Sequence, residues 1–295
     1  MSVEKRPHER GDGAMQEFET ANYEIFAPGV ARIMMNRPAI RNAQNVQMTY
    51  DLNECFNLAA RDESVKVVIL GGADPHFSSG HDLSGFGGKV PGRDFELVGT
   101  WGLLSEWNIH NHYSFEKEVF VEMCRRWRDF PKPTIAMVQG KCIAGGLMLA
   151  WVCDIIIASD DASFVDPVVA MGVCGVEYFN HPYELGIRKA KELLFTADWW
   201  SADEAHRLGM VNHVVPRAEL QDFALSMANR IAEKPAFALK LTKQAVNTAQ
   251  NNMGQRKTMD TVFALHHLTH AHSSEMQRKT GERQSFREEM KSKLT

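Results

Sequence analysis

A strand-length apolar run that empties into glycine occurs twice in this chain, and the repetition limits the fold more than any other feature. Residues 65–70 (Val-Lys-Val-Val-Ile-Leu) lead into Gly71-Gly72, and residues 133–138 (Pro-Thr-Ile-Ala-Met-Val) end at Gln139-Gly140. Runs of β-branched and apolar residues without polar alternation are strands buried on both faces, as in parallel sheets covered by helices. After the second run, Gly145-Gly146 opens an almost wholly apolar helix over residues 147–153. A helix with no solvated face is a central one. Open α/β folds place ligands at strand ends of this kind.

The rest of the chain fits around these two passages. Residues 23–35 read as a β-hairpin turning at Pro28-Gly29. Val46, Tyr50, Leu52, Cys55, Phe56 and Ala59 fall at helical spacing, and residues 155–158 and 163–165 are further short strands. Strand and helix alternate to about residue 215. Beyond it the spacing is helical over 217–247, interrupted near Pro235, and again over 257–272. The expected organisation is a disordered N-terminal tail (1–20), an α/β core (21–216) and a C-terminal helical region (217–295).

Composition narrows the function classes. Lys and Arg number 33 against 37 Asp and Glu, a net charge of −4, which leaves no basic footprint for a nucleic acid. The five cysteines are odd in number and lack C-x-x-C spacing, so neither a disulfide framework nor a structural zinc site is expected. The longest apolar stretch, residues 142–157, falls short of the ~18 apolar residues of a membrane span and carries Asp154. The mixed-charge N-terminus does not read as a signal peptide, and the cytosol is the expected compartment.

Residues 85–131 form a long segment, first Gly-rich and aromatic (Trp101, Trp107, His110, His112, Tyr113), then amphipathic and helical over 115–127. A flap over a pocket and a surface loop with packed-down aromatics both fit this pattern. His266, His267, His270 and His272 cluster further on. His266 and His270 could chelate a metal from one helical face, but with no carboxylate beside them in sequence a solvated face is the expectation.

Phe77-Ser78-Ser79-Gly80-His81-Asp82-Leu83 and Gly140-Lys141-Cys142-Ile143-Ala144-Gly145-Gly146 resemble the two signature stretches of the crotonase (enoyl-CoA hydratase/isomerase) superfamily. Arg37-Pro38 with Arg41-Asn42-Ala43, Asp154-Ile155-Ile156-Ile157-Ala158, Ser201-Ala202-Asp203-Glu204-Ala205 and Leu208-Gly209-Met210-Val211 look like family blocks in family order, so the resemblance spans roughly residues 22–250. It implies a spiral of ββα repeats, with a C-terminal helical trimerisation region that builds trimers or pairs of trimers. It also implies acyl-coenzyme A thioesters as substrates in fatty acid metabolism, with no metal or redox cofactor. The thioester oxygen gains charge as an enolate forms, and two backbone N–H groups meet it. By motif position these donors are His81 and Gly145. Ser79, Gly80, Asp82, Leu83, Gly146 and Arg41 are then expected along the bound substrate, and the His81 ring is expected to line the channel rather than to move protons.

The sequence departs from the family where hydratases carry two glutamates, one to activate water and one to deliver a proton. By motif position these places are Met148 and Val168, both expected as apolar lining of the substrate site. Glu177 lies where some family isomerases carry an acidic residue, and apolar neighbours should raise its pKa toward a useful base. A salt bridge with Lys or Arg explains Glu177 equally well. His181 is a weaker candidate, to orient Glu177 or act as acid, against a structural role at a helix start. Asp166 is expected to cap a turn, Tyr178 to form pocket wall, and Cys174 to lack an activating partner. The resulting expectation is an acyl-CoA enzyme working through an enolate with a non-standard acid/base set. A non-catalytic acyl-CoA binder, and a thioesterase or C–C hydrolase on the same fold, remain open.

Overall fold

The computed structural model describes residues 15–85, 95–99, 101 and 108–280. Strand β1 (Gln16–Glu17) pairs antiparallel with β2 (Ala21–Ala27), which turns through Gly29 at φ +81° into β3 (Val30–Met35). Helix α1 (Val46–Arg61) and β4 (Val67–Gly72) follow, then α2 (Ile109–Glu116), one turn of π-helix (Lys117–Glu122) and α3 (Met123–Arg128). Next come β5 (Thr134–Val138), β6 (Lys141–Ile143), α4 (Gly145–Trp151), β7 (Ile155–Ser159) and β8 (Ser163–Val165). Helices α5 (His181–Leu185) and α6 (Ile187–Thr196), β9 (Trp200–Ser201), α7 (Ala202–Leu208) and β10 (His213–Val215) complete the alternating part. Helices α8 (Leu220–Ala232), α9 (Ala236–Asn252) and α10 (Gln255–Thr280) follow.

The strands build two layers. The larger sheet has the order β1-β2-β3-β4-β5-β7-β10 and is parallel from β3 onward; the smaller has the order β6-β8-β9. Single-residue parallel bridges, Gln44 to His81 and Ser78 to Cys142, extend the second layer. Each turn of the chain therefore lays a long strand in the first sheet and a short extended piece in the second. This is the ββα spiral that the motifs imply.

Residue chemistry explains the layers. On β4, Val68 and Leu70 face the main core with Met48, Leu52 and Phe56 of α1, whereas Val67 and Ile69 face Leu220, Ala224 and Ala228 of α8. Successive side chains of a strand point to opposite faces, so a sheet covered on both sides must be apolar at every position. Each fully buried Val, Leu or Phe contributes roughly 1.5–3 kcal/mol. Helix α1 begins where the Asn45 side chain accepts the Met48 amide at 2.9 Å, which satisfies one of the free N–H groups of its first turn.

The fold differs from the sequence reading at both ends of the first half of the chain. The expected tail is already paired at residues 16–17, and buried Thr20 sends its amide (2.9 Å) and hydroxyl (2.6 Å) to Asp51, so part of the first 20 residues belongs to the fold. The helix expected over 115–127 contains the π turn, with Glu116, Lys117 and Glu118 buried. Its polar residues have partners: Glu118 accepts the amides of Val98 (2.5 Å) and Gly99 (2.8 Å), and Lys117 reaches Asp260 at 3.2 Å. Trp200, in β9, is buried on Phe164. Trp107 lies outside the described residues, as does much of the glycine-rich segment.

Candidate active site

The segment Ser78–Asp82 is held beside β6 and the start of α4 by backbone hydrogen bonds, Ser78 to Lys141 at 3.1 Å and Ile143 to Ser78 at 3.0 Å, and is braced by side chains. Arg41 and Asn42 adopt left-handed backbone conformations, and the Asn42 amide group donates to the carbonyls of Ala73 (2.7 Å) and His76 (2.8 Å). Ser78 donates its hydroxyl to the Asn42 carbonyl at 2.9 Å. Gly80, at φ +87°, passes so close to the end of β6 that a Cβ there would sit 2.8 Å from the Ile143 carbonyl oxygen, which only glycine avoids. The Gln44 amide donates to Gly80 and the Asp82 amide donates to Gln44, both at 2.8 Å. The intervening His81 N–H, like that of Gly145, has no acceptor among the described residues. Two free donors thus stand at the meeting point of this segment and α4.

The His81 side chain fills the space beside them. A Cβ on Gly145 would lie 2.6 Å from His81 Cε1 and 2.8 Å from its Nδ1. Phe120, from the π turn, stacks on the other face with centroids 3.9 Å apart. Nε2 lies 3.1 Å from Glu177 Oε2. An ionised carboxylate can only accept, so Nε2 carries the hydrogen and Nδ1, buried and without a hydrogen-bond partner, keeps a lone pair.

Glu177 is only 4% exposed, yet its partners are imidazoles and not the Lys or Arg that a salt bridge would need. Burial alone would raise its pKa, as the sequence suggested; electrostatic attraction to the N–H edge of His81 and the hydrogen bond it donates outweigh burial and hold the carboxyl below its usual range. Glu177 Oε1 lies 3.8 Å from His266 Nε2, which in turn lies 3.2 Å from Glu116 Oε2. Burial works against a charged His266, but Glu116 and Glu177 together lift its pKa to about 9. His270, desolvated beside it, is pushed down to about 4. His266 and His267 are buried, so the expected solvated histidine face is in fact packed on Glu116 from α2. Sequence distance hid this carboxylate.

The sequence profile of the enoyl-CoA hydratase/isomerase family matches residues 26–294. The chain belongs to that family. It is 43% identical over 285 residues to the candidate enoyl-CoA hydratase EchA13 of Mycobacterium tuberculosis, covering 93% of this chain and 88% of that protein. The 1,2-epoxyphenylacetyl-CoA isomerase of Escherichia coli is 32% identical over 254 residues, covering 85% and 88%. Among solved structures, a probable enoyl-CoA hydratase from Mycobacterium smegmatis superposes with a TM-score of 0.79 at 40% identity, covering 88% of this chain and 98% of the other.

In this member of the enoyl-CoA hydratase/isomerase family, Met148 and Val168 stand at the two positions where the motif resemblance implies glutamates. Met148 is buried and lines, with Gln44, Met48 and Phe120, a cavity of about 10 Å³, too small for more than a single water. Val168 opens a 3₁₀ turn and packs against the main core. His181 does not orient Glu177: its Nε2 lies 2.8 Å from Asp166 Oδ2, and its ring packs between Trp151 and Phe179. Asp166 also accepts the amides of Val168 (3.3 Å) and Val176 (3.2 Å), the turn role expected of it.

The remaining candidates divide between scaffold and surface. Asp82 pairs with Arg37 at 3.0 Å and caps Ser84, and the Ser79 hydroxyl donates to Ile40 at 3.2 Å, so both brace the loop. Arg41 and Leu83 are exposed, whereas a Cβ on Gly146 would meet the Ser78 carbonyl at 2.8 Å. Tyr178 is fully buried, with its hydroxyl accepting from Gln255, and is core rather than pocket wall. Burial pushes the Cys174 thiol up, away from reactivity.

Proposed function

We propose that this enoyl-CoA hydratase/isomerase family enzyme binds an acyl-CoA thioester with its carbonyl oxygen on the amides of His81 and Gly145, and moves a proton at the α-carbon through the His81–Glu177 pair. The observation that carries this reading is the bare, buried Nδ1 of His81 beside Gly145, with Nε2 anchored on Glu177. Nδ1 accepts the α-proton as the enolate forms and returns it to carbon, while Glu177 fixes the tautomer and balances the charge of the imidazolium. Each amide donor contributes on the order of 3 kcal/mol of transition-state stabilisation. The chemistry draws on no group beyond the coenzyme A of the substrate. With Met148 and Val168 in the two glutamate positions, this one-base chemistry is favoured over hydration.

Incubation with saturated, 2-enoyl and 3-enoyl CoA thioesters in heavy water tests the proposal by mass spectrometry. Deuterium uptake without added water is the expected result. A mass gain of one water would return hydratase chemistry, and release of free CoA would favour a thioesterase or C–C hydrolase. Met148 and Val168 also favour a non-catalytic acyl-CoA binder, for which every thioester would bind and none would change.

No helix among the described residues is long and apolar enough to cross a membrane. The reading extends to a cytosolic enzyme, supported by five unpaired cysteines. It extends also to a trimer or a pair of trimers, supported by exposed apolar residues on the C-terminal helices: Phe237 (72%), Val246 (64%) and Leu268 (66%). Light scattering should give three or six times the 33.3 kDa chain mass. A single chain mass would overturn the assembly.

A further inference from the structure

We propose that Glu116, His266 and His267, joined at their outer edge by His112 and His270, bind one divalent first-row transition-metal ion. Two i,i+4 pairs meet face to face: His112 and Glu116 on α2, His266 and His270 on α10. Donor pairs on facing helices are how helical folds commonly build metal sites. His112 Nε2 lies 2.7 Å from Glu116 Oε1; His267 and His266 Nε2 lie 3.0 and 3.2 Å from Glu116 Oε2; His270 Nε2 lies 2.9 Å from His266 Nε2. Ligands about 2.0–2.1 Å from a shared ion stand roughly 3–3.5 Å apart, and these separations are close to that spacing. All four rings offer the same nitrogen.

Three further observations point to an ion rather than to a simple hydrogen-bonded cluster. Glu116 (3% exposed), His266 (2%) and His267 (6%) are buried, so water cannot serve their inward-facing atoms freely. Glu116 Oε2 and His267 Nε2 lack a hydrogen-bond partner although they are 3.0 Å apart, because they are not aimed along each other. A buried, unpartnered carboxylate oxygen and imidazole nitrogen are costly unless something between them takes both lone pairs. Finally, His266 Nδ1 donates to the Gly175 carbonyl at 2.7 Å, the second hydrogen bond by which metal-bound histidines fix their orientation.

The donor set selects the class of metal. Imidazole with one carboxylate suits Zn²⁺, Co²⁺, Ni²⁺ or Fe²⁺, whereas Mg²⁺ and Ca²⁺ prefer all-oxygen sites and soft ions prefer thiolate. His112 and His270 are the more exposed ligands, with side chains 18% and 28% accessible, and form the entry side. The ion would tie α10 to α2 and, through Gly175, to the loop that carries Glu177. This inference does not depend on the catalytic proposal.

Tag-free full-length protein, stripped with chelator and dialysed against Zn²⁺, should retain one ion per chain by elemental mass spectrometry and melt at a higher temperature than the stripped form. Co²⁺ should give the visible absorption of a nitrogen-ligated site. His267→Gln should abolish stoichiometric retention, and His112→Ala with His270→Ala, at the exposed edge, should weaken Zn²⁺ affinity at least tenfold in titration calorimetry while the circular dichroism spectrum stays native. Retention below one-tenth of an ion, an unchanged melting temperature, or equal binding in both variants would overturn the site. All of these readouts are taken without thioester, so a failed catalytic proposal leaves them intact.

Discussion

Glu177→Gln should lower kcat by two to four orders of magnitude on whichever thioester proves to be a substrate, with thioester Kd changed no more than a few-fold. General acid–base groups contribute about 10²–10⁴ in rate. A carboxamide is close in shape to the carboxylate but carries no charge, and its NH₂ can donate to His81 Nε2. That bond would move the ring hydrogen to Nδ1, where a base must be bare. Both proposed oxyanion donors are backbone groups and survive the substitution, so binding should persist. His81→Gln, made in parallel, should lose activity to the same extent, again with binding retained. Loss in Glu177→Gln alone would make the carboxylate itself the proton acceptor; full activity in both variants would sink the pair as the acid/base unit.

Gly145→Ala should cost about 10²–10³ in kcat and also lower the melting temperature. The added Cβ meets His81 Cε1 at 2.6 Å, Nδ1 at 2.8 Å and Gln44 Oε1 at 2.9 Å, all well inside van der Waals contact. A mobile side chain could swing aside, but His81 is pinned by the Phe120 stack on one face and by Glu177 at its far end. The ring and the two amides must therefore move together. Loss of one aligned donor is worth on the order of 10²–10³ in rate, and overpacking a filled site costs about 1–3 kcal/mol of stability. Steady-state kinetics with a thermal melt decides the matter: an active, undisturbed Gly145→Ala enzyme would mean that the thioester oxygen does not sit there.

The sheet was legible in the sequence for a physical reason. Strands β4, β5 and β7 are buried on both faces, so apolar residues fill all but their end positions and the runs stand out. Helix α4 was legible because Gly145-Gly146 and the apolar residues after it answer to one crowded environment, with all seven helical residues buried. What lay hidden depends on contacts between distant segments. Periodicity shows that His266 and His270 share a face but not what covers it, and Glu116 comes from 150 residues earlier. The sign of the Glu177 shift failed likewise, because neighbours in sequence report desolvation while the opposing attraction and hydrogen bond come from His81. Tyr178 sits beside Glu177 in the chain yet points into the core, where Gln255 meets its hydroxyl.

Ala144 enters α4 at φ +46° and ψ −108°, a backbone conformation that residues with a Cβ rarely adopt. Such torsions cost on the order of 1–3 kcal/mol and persist only where the surroundings enforce them. Here the enforcing contacts are the Ala144 amide bonded to Val165 and its carbonyl bonded to Leu147, and the torsion between them sets the direction of the next N–H, that of Gly145. The aim of this donor is thus fixed by the folded chain before any ligand arrives. A lineage drifting toward greater heat resistance by relaxing this one residue would turn the Gly145 amide away, so durability and readiness are opposed at a single peptide unit.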